Sequence, residues 1–183
     1  MPVPSGVIDG RRSADADWRG VATSIGAQLT GALLDRLSGR HFERHSALVI
    51  PIATVDPAGW PHLALVSYSE LVAPDRGSLR LAVGGRSGSA DNLRRNGHLT
   101  VLLFDASLVS YIKGTARERR PSMHCSPWNA VFDVTVTDVL ADAADPRREG
   151  DSVVLGGITF DSDPEWIARR AAVMAELLAD VSR

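Results

Sequence analysis

The run GSLRLAVGGRSGSADNLRRNGHLTVLLFD, residues 77–105, decides the fold. GSLRLAV (77–83) alternates apolar and polar residues and predicts a strand. Gly84-Gly85 ends it. Ser87 or Ser89 then predicts an N-cap for a short helix over 90–96, and Gly97 a C-terminal stop. HLTVLLFD (98–105) predicts the next strand. The order is strand, small-residue turn, helix start, strand. A helix start presents unpaired backbone N–H groups and a partial positive charge, which suits an anion. The Ser87 and Ser89 hydroxyls, Arg86, and less directly Arg94 or Arg95 could add to it. Taken alone, such a run also reads as a capped turn with solvated arginines. It is neither a Walker loop nor a Rossmann fingerprint.

Upstream, ALVIPIATV (47–55) is a short apolar run suited to a buried strand, with Pro51 marking an edge or a bulge. DPAG (56–59) has the residue order of a type I turn, and PHLALVSYSEL (61–71) is the return strand of a hairpin. Downstream, SLVSYIKGTARE (107–118) is a fifth strand and NAVFDVTVTDVLAD (129–142) a long sixth. DSVVLGGITF (151–160) fits a strand or a loop. The spacing of Trp18, Ala22, Ile25, Leu29, Leu33 and Leu37 predicts a helix over 16–38, weakened by three glycines. At the other end, Ser162 or Asp163 can cap a helix that Pro164 and Glu165 open, with Ile167, Ala171, Met174 and Leu178 on one face. Residues 1–15 read as a flexible tail, and 16–183 as one domain. Six strands joined by hairpin turns and flanked by helices predict a small antiparallel barrel, mainly β with flanking helices.

Composition narrows the function. The chain has 183 residues, 44% of them hydrophobic, enough for one core. A net charge of −2 argues against general nucleic-acid binding. Cys125 is the only cysteine, so no internal disulfide forms, which fits a reducing cytoplasm. No apolar run approaches the roughly 20 residues of a membrane span, and the N-terminus lacks the apolar core of a signal peptide.

The apolar strand ending in Thr54-Val55-Asp56, Gly59-x-Pro61-His62, the Ser87-x-Ser89-x-x-Asn92-Leu93-Arg94-Arg95-Asn96 run and Lys113-Gly114-Thr115-Ala116 occur in that order. In order and spacing they resemble the pyridoxamine 5′-phosphate oxidase-like family, over roughly residues 45–118. The resemblance implies a six-stranded antiparallel split β-barrel, a homodimer, and FMN at the subunit interface. Arg86, Ser87, Ser89 and Asn92 would grip the FMN phosphate. Many relatives carry a lysine near Ser89, which this chain lacks. Ser67 and Tyr68 would run beside the flavin ring, and Lys113 would border the cofactor. Lys113, Arg80 and Arg117 are all candidates for the cation that stabilises reduced flavin.

The implied activity is that of an oxidoreductase on an unidentified small molecule, with the cofactor carrying the redox chemistry. A true pyridoxamine phosphate oxidase is not expected, because its basic C-terminal segment is replaced by EWIARRAAVMAELLADVSR (165–183). The alternatives are a deazaflavin-dependent reductase, whose acidic tail would use Arg86, Arg94 and Arg95, and a non-catalytic flavin or haem binder or sensor. His41 and His45 lie four apart and could share a helix face, but without a third ligand they read as helix-end residues. His124 beside Cys125 lacks zinc spacing. His62 reads as a half-buried strand residue that could reach a substrate or the flavin edge. No metal site is expected.

Overall fold

The computed structural model describes residues 22–105, 108–142, 156–161 and 164–179. Eight antiparallel strands form one sheet among them. In chain order the elements are β1 (Ala22–Ser24), α1 (Gly31–Leu37), α2 (Phe42–His45), β2 (Val49–Val55), β3 (Pro61–Ser67), β4 (Leu71–Asp75), β5 (Ser78–Gly84), α3 (Gly88–Asn96), β6 (His98–Asp105), β7 (Leu108–Arg120), β8 (Asn129–Asp142) and α4 (Pro164–Ala179). The sheet order is β3-β2-β6-β7-β8-β5-β4, with β1 on the far end of β8.

This sheet is curled. Strands lie about 4.8 Å apart, so β3 and β5, five places apart in the order, would be separated by roughly 24 Å in a flat sheet. Helix α3 touches both, although a helix is only about 10–12 Å across. The sheet therefore wraps around α3, and Ala90 and Leu93 of that helix join one core with Ile50, Ile52, Leu81, Leu103, Ile112 and Phe132. This half-barrel of antiparallel strands with flanking helices is the fold class that the hairpin pattern implies.

The helix at the centre forms for local reasons. The Ser87 hydroxyl accepts the Ala90 N–H at 3.2 Å, and Gly97 closes the helix in the left-handed conformation, φ +70°. A Cβ at Gly97 would stand 2.7 Å from the Ala116 carbonyl oxygen, so only glycine fits. Helix and caps agree with the sequence reading.

The strand count exceeds the expected six for two reasons. The run 61–71 is not one strand. The Glu70 carboxylate accepts both the Ser67 N–H (2.8 Å) and the Ser67 Oγ–H (2.7 Å), and the Glu70 N–H returns to the Ser67 carbonyl at 3.0 Å. That turn splits the run into β3 and β4. The helix expected over 16–38 is also corrected. Residues 22–24 are a strand, Gly26 has φ +100°, and only 31–37 are helical. Leu29, Leu33 and Leu37 are buried as their spacing implied, whereas Ile25 faces out. Of the segment 151–160, Thr159 makes an isolated bridge to Leu48; 151–155, the tail 1–15, residues 16–21 and the cap candidates Ser162 and Asp163 lie outside the described residues.

Helix α4 covers the outer face of β4 and β5, packing Val173 and Leu177 on Val72, Ala82 and Val131. Glu176 pins it. Its carboxylate accepts the His124 and Cys125 N–H groups, each at 2.9 Å, and lies 2.7 Å from the Arg120 guanidinium. Burial works against its charge, but the Cys125 and His124 bonds and Arg120 outweigh it and hold the carboxyl down at about 2, from an ordinary 4.5. A depressed carboxyl stabilises the fold above its unfolded pKa, and that contribution disappears as pH falls from about 4.5 toward 2. Glu176→Gln is therefore expected to cost about 2 kcal/mol near neutrality. In urea melts run along a pH series, the gap between the two proteins closes on acidification. A gap that does not change with pH would show that the carboxylate charge is not the cause.

Candidate functional site

The start of α3 is the most anion-ready place in the described residues. The Gly88 and Ser89 N–H groups have no partner there, because Ser87 caps Ala90 and the Asp91 N–H bonds the Ser87 carbonyl. The Ser87 hydroxyl uses a lone pair for the cap and keeps its proton to donate. Ser89 is 3% exposed and its hydroxyl makes no hydrogen bond among the described residues. Arg86 is exposed and likewise without a partner among them. A Cβ on Gly88 would come within 3.1 Å of the His62 ring, so the imidazole lies directly over the first turn. Sequence reading marked Gly-x-Pro-His but had no signal for that contact, which depends on how β3 passes α3.

The other nearby cations are committed. Arg94 binds both Glu118 oxygens at 2.6–3.2 Å, the Gly85 carbonyl at 2.8 Å and Asp91 at 3.2 Å. The Arg94 hydrogen bonds hold Glu118 below the ordinary carboxylate range, against its own burial. Arg95 donates to the Val55 carbonyl, as does the Asn96 amide at 3.1 Å. Asn92 points inward: it is 4% exposed, and its amide donates to Thr54 Oγ at 3.0 Å, tying α3 to β2.

The remaining sequence-selected residues lie elsewhere. Ser67 and Tyr68 sit at the far end of β3, about 17 Å along the strand from His62. Their side chains are engaged inside. The Ser67 hydroxyl meets Ser69 Oγ at 2.6 Å and Glu70, and the Tyr68 ring lies 5.1 Å from that of His45. What β3 leaves open is its backbone, because it is an edge strand paired only with β2. Lys113 lies on the outside of the sheet. It faces Asp138 across the β7–β8 ladder at 4.0 Å, in an open cleft of about 440 Å³ with Ala53, Pro61 and Thr100. The sheet thus separates Lys113 from the start of α3 within one chain. Arg80 is buried against Asp133 and the Leu177 carbonyl.

His41 lies 3.6 Å from Asp35. No cluster of three or more metal-binding side chains occurs among the described residues. No described helix is long and apolar enough to cross a membrane.

No protein-family profile matches the chain. It is 30% identical over 71 residues to the uncharacterized protein YclD of Bacillus subtilis (strain 168). That stretch is 39% of this chain and 45% of YclD, so it spans less than half of the relative. Similar solved structures include HupZ of Group A Streptococcus, 17% identical with a TM-score of 0.48, covering 63% of this chain and 99% of HupZ. An FMN-binding protein of Syntrophomonas wolfei subsp. wolfei is 14% identical with a TM-score of 0.46, covering 62% and 88%. An F420 reductase is 16% identical with a TM-score of 0.46, covering 61% and 97%.

Proposed function

We propose that the chain is a cytoplasmic FMN-binding flavoprotein of the pyridoxamine 5′-phosphate oxidase-like group, an oxidoreductase acting on a small molecule as a homodimer. The observation that carries the reading is the start of α3. Two unpaired N–H groups, two hydroxyls and Arg86 converge there, at one end of the unpaired backbone edge of β3. A phosphate carries about −1.5 to −2 charges and needs such donors. A strand edge offers the backbone donors and acceptors that a flavin pyrimidine pairs with.

In this reading Arg86, Ser87 and Ser89 hold the phosphate, the open edge of β3 nearer His62 contributes backbone groups, and Ser67, whose N–H and carbonyl are bonded to Glu70, shapes the far end of the strand with Tyr68. Asn92 positions α3 through Thr54. Lys113, on the opposite face of the sheet, meets the cofactor held by the partner subunit. When bound, FMN supplies the hydride or electron transfer; the chain's residues bind it, orient it and exclude water. Arg94 and Arg95 are tied to Glu118 and Val55, which leaves Arg86 alone for the longer acidic tail of a deazaflavin. His41 and His45 are engaged by Asp35 and Tyr68, which disfavours a haem ligand.

The test is to add FMN to the purified protein, desalt it and record the visible spectrum. Retained two-band flavin absorption, bleached by NAD(P)H or dithionite, is the expected result. A colourless protein at FMN concentrations well above the protein's own would overturn the assignment.

A further inference from the structure

A second, more enclosed cleft of about 190 Å³ lies between α4, the 121–128 loop and the turn that joins β3 to β4. It has the parts of a built site. Trp128 and Trp166 are among its walls, and these large rings are 70% and 42% exposed. Indole faces held in water are suited to a flat apolar ligand. Ser126 and Asn129 line it as well. They are 2% and 7% exposed, yet neither side chain has a hydrogen-bond partner among the described residues. Their hydroxyl and amide can bond a ligand in the cleft.

Charge selects the ligand further. Arg169 and Arg170 line the cleft, against the single carboxylate of Glu70. Glu70 is turned to the Ser67 N–H and hydroxyl. Arg170 is fixed, lying over the Phe160 ring at 3.7 Å and the Trp166 ring at 4.8 Å and donating to the Ser46 carbonyl at 3.1 Å. Among the described residues Arg169 holds an exposed pair with Glu165 at 3.3 Å, which constrains it little. Cys125, also in the lining, is a neutral thiol: burial first, then Glu176, raises it to about 11. Among the described residues the lining carries one net positive charge.

We propose that this cleft binds a small aromatic monocarboxylate, its ring against Trp128 and Trp166, its carboxylate on Arg169, and its remaining polar edge on Asn129 and Ser126. A planar guanidinium matches a carboxylate with two parallel bonds. The cleft shares no lining residue with the start of α3. The two are neighbours, because the Trp128 carbonyl accepts the N–H of Gly85, the residue before Arg86, at 2.8 Å. The test uses flavin-free protein, so its outcome does not depend on the flavin assignment.

Cys125 makes the test site-specific, because it is the only cysteine in the chain. The full-length protein is alkylated with iodoacetamide at about pH 9, where enough of this thiol is ionised to react. The probes are benzoate and its uncharged isostere benzamide. Benzoate is expected to slow the reaction with half-protection at roughly 1 mM, and benzamide at least about tenfold more weakly. Arg169→Gln removes the difference between them. Asn129→Ala leaves benzoate protection unchanged but weakens 3-hydroxybenzoate, whose hydroxyl supplies the second polar edge, about tenfold without lowering the melting temperature. Arg169 is exposed, so its variant reports binding rather than folding. Equal protection by the two probes, an unaltered preference in Arg169→Gln, or no protection at on the order of 50 mM benzoate overturns the proposal.

Discussion

Replacing Arg86 by Gln together with Ser87 and Ser89 by Ala is expected to weaken FMN binding about a hundredfold, while riboflavin binding changes little. Each hydroxyl or guanidinium bond to a charged phosphate contributes about 1.5 kcal/mol, and three such bonds in one cluster add less than fully. The expected loss is therefore about 3 kcal/mol, a factor of roughly 100. It is not total, because the Gly88 and Ser89 N–H groups remain. Riboflavin lacks the phosphate, so the ratio of the two affinities isolates the α3 terminus from the ring contacts. Ser87 also caps the helix, and its loss costs about 1 kcal/mol of stability. A melt of the flavin-free variant measures that separately. Arg86→Gln alone gives the electrostatic part cleanly, since Arg86 has no partner among the described residues to lose. An FMN-to-riboflavin ratio equal to that of the parent protein would remove the phosphate from this helix.

That prediction rests on the part of the molecule most legible in the sequence. Caps are local: a serine before the helix and a glycine after it fix α3 whatever surrounds them, and both behave as read. Hairpin strands are nearly as local, and β2, β5, β6 and β8 follow the apolar runs to within two residues. The misses come from interactions that local pattern does not carry. The break at Ser67 requires the Glu70 side chain to fold back on the Ser67 amide. The periodicity of 16–38 was real for Leu29, Leu33 and Leu37, but Gly26 turns the chain and lets Ile25 bond β8 through its N–H instead.

Site residues divide the same way. Arg86, Ser87 and Ser89 are adjacent in the chain and stay together in space. Asn92, Lys113, Ser67 and Tyr68 depend on sheet register. It turns Asn92 to Thr54, puts Lys113 on the outer face, and places Ser67 and Tyr68 at the far end of β3. Arg94 and Arg95 stand beside the turn in sequence, but Glu118, 24 residues on, and Val55, 40 residues back, hold their guanidinium groups.

The outer face of the sheet leads to the second large effect: Leu63→Glu with Leu65→Glu is expected to turn a dimer into a folded monomer. Leu63 and Leu65 pair with Ala53 and Pro51 on β2 and are 72% and 62% exposed. Across the same face follow Thr100 and Lys113, then Leu102, Tyr111 and Leu140. Two leucines side by side on an edge strand form an apolar surface of the kind that marks an interface. Burying each contributes about 1.5–3 kcal/mol, and a glutamate in each place adds an unpaired charge. The combined effect is a dimer at least about a thousandfold weaker. Because both positions face solvent within one chain, the monomer keeps its melting behaviour to within about 1 kcal/mol. Light scattering at micromolar concentration reads the mass, and a flavin titration of the same variant reads the consequence. If Lys113 of the partner subunit borders the cofactor, losing the dimer lowers FMN affinity in a variant whose own phosphate site is intact. Lys113→Ala in the dimer should then lower it in the same direction with the mass unchanged. A parent protein that is monomeric at micromolar concentration would refute the interface, and a monomeric variant with full FMN affinity would confine the cofactor to a single chain.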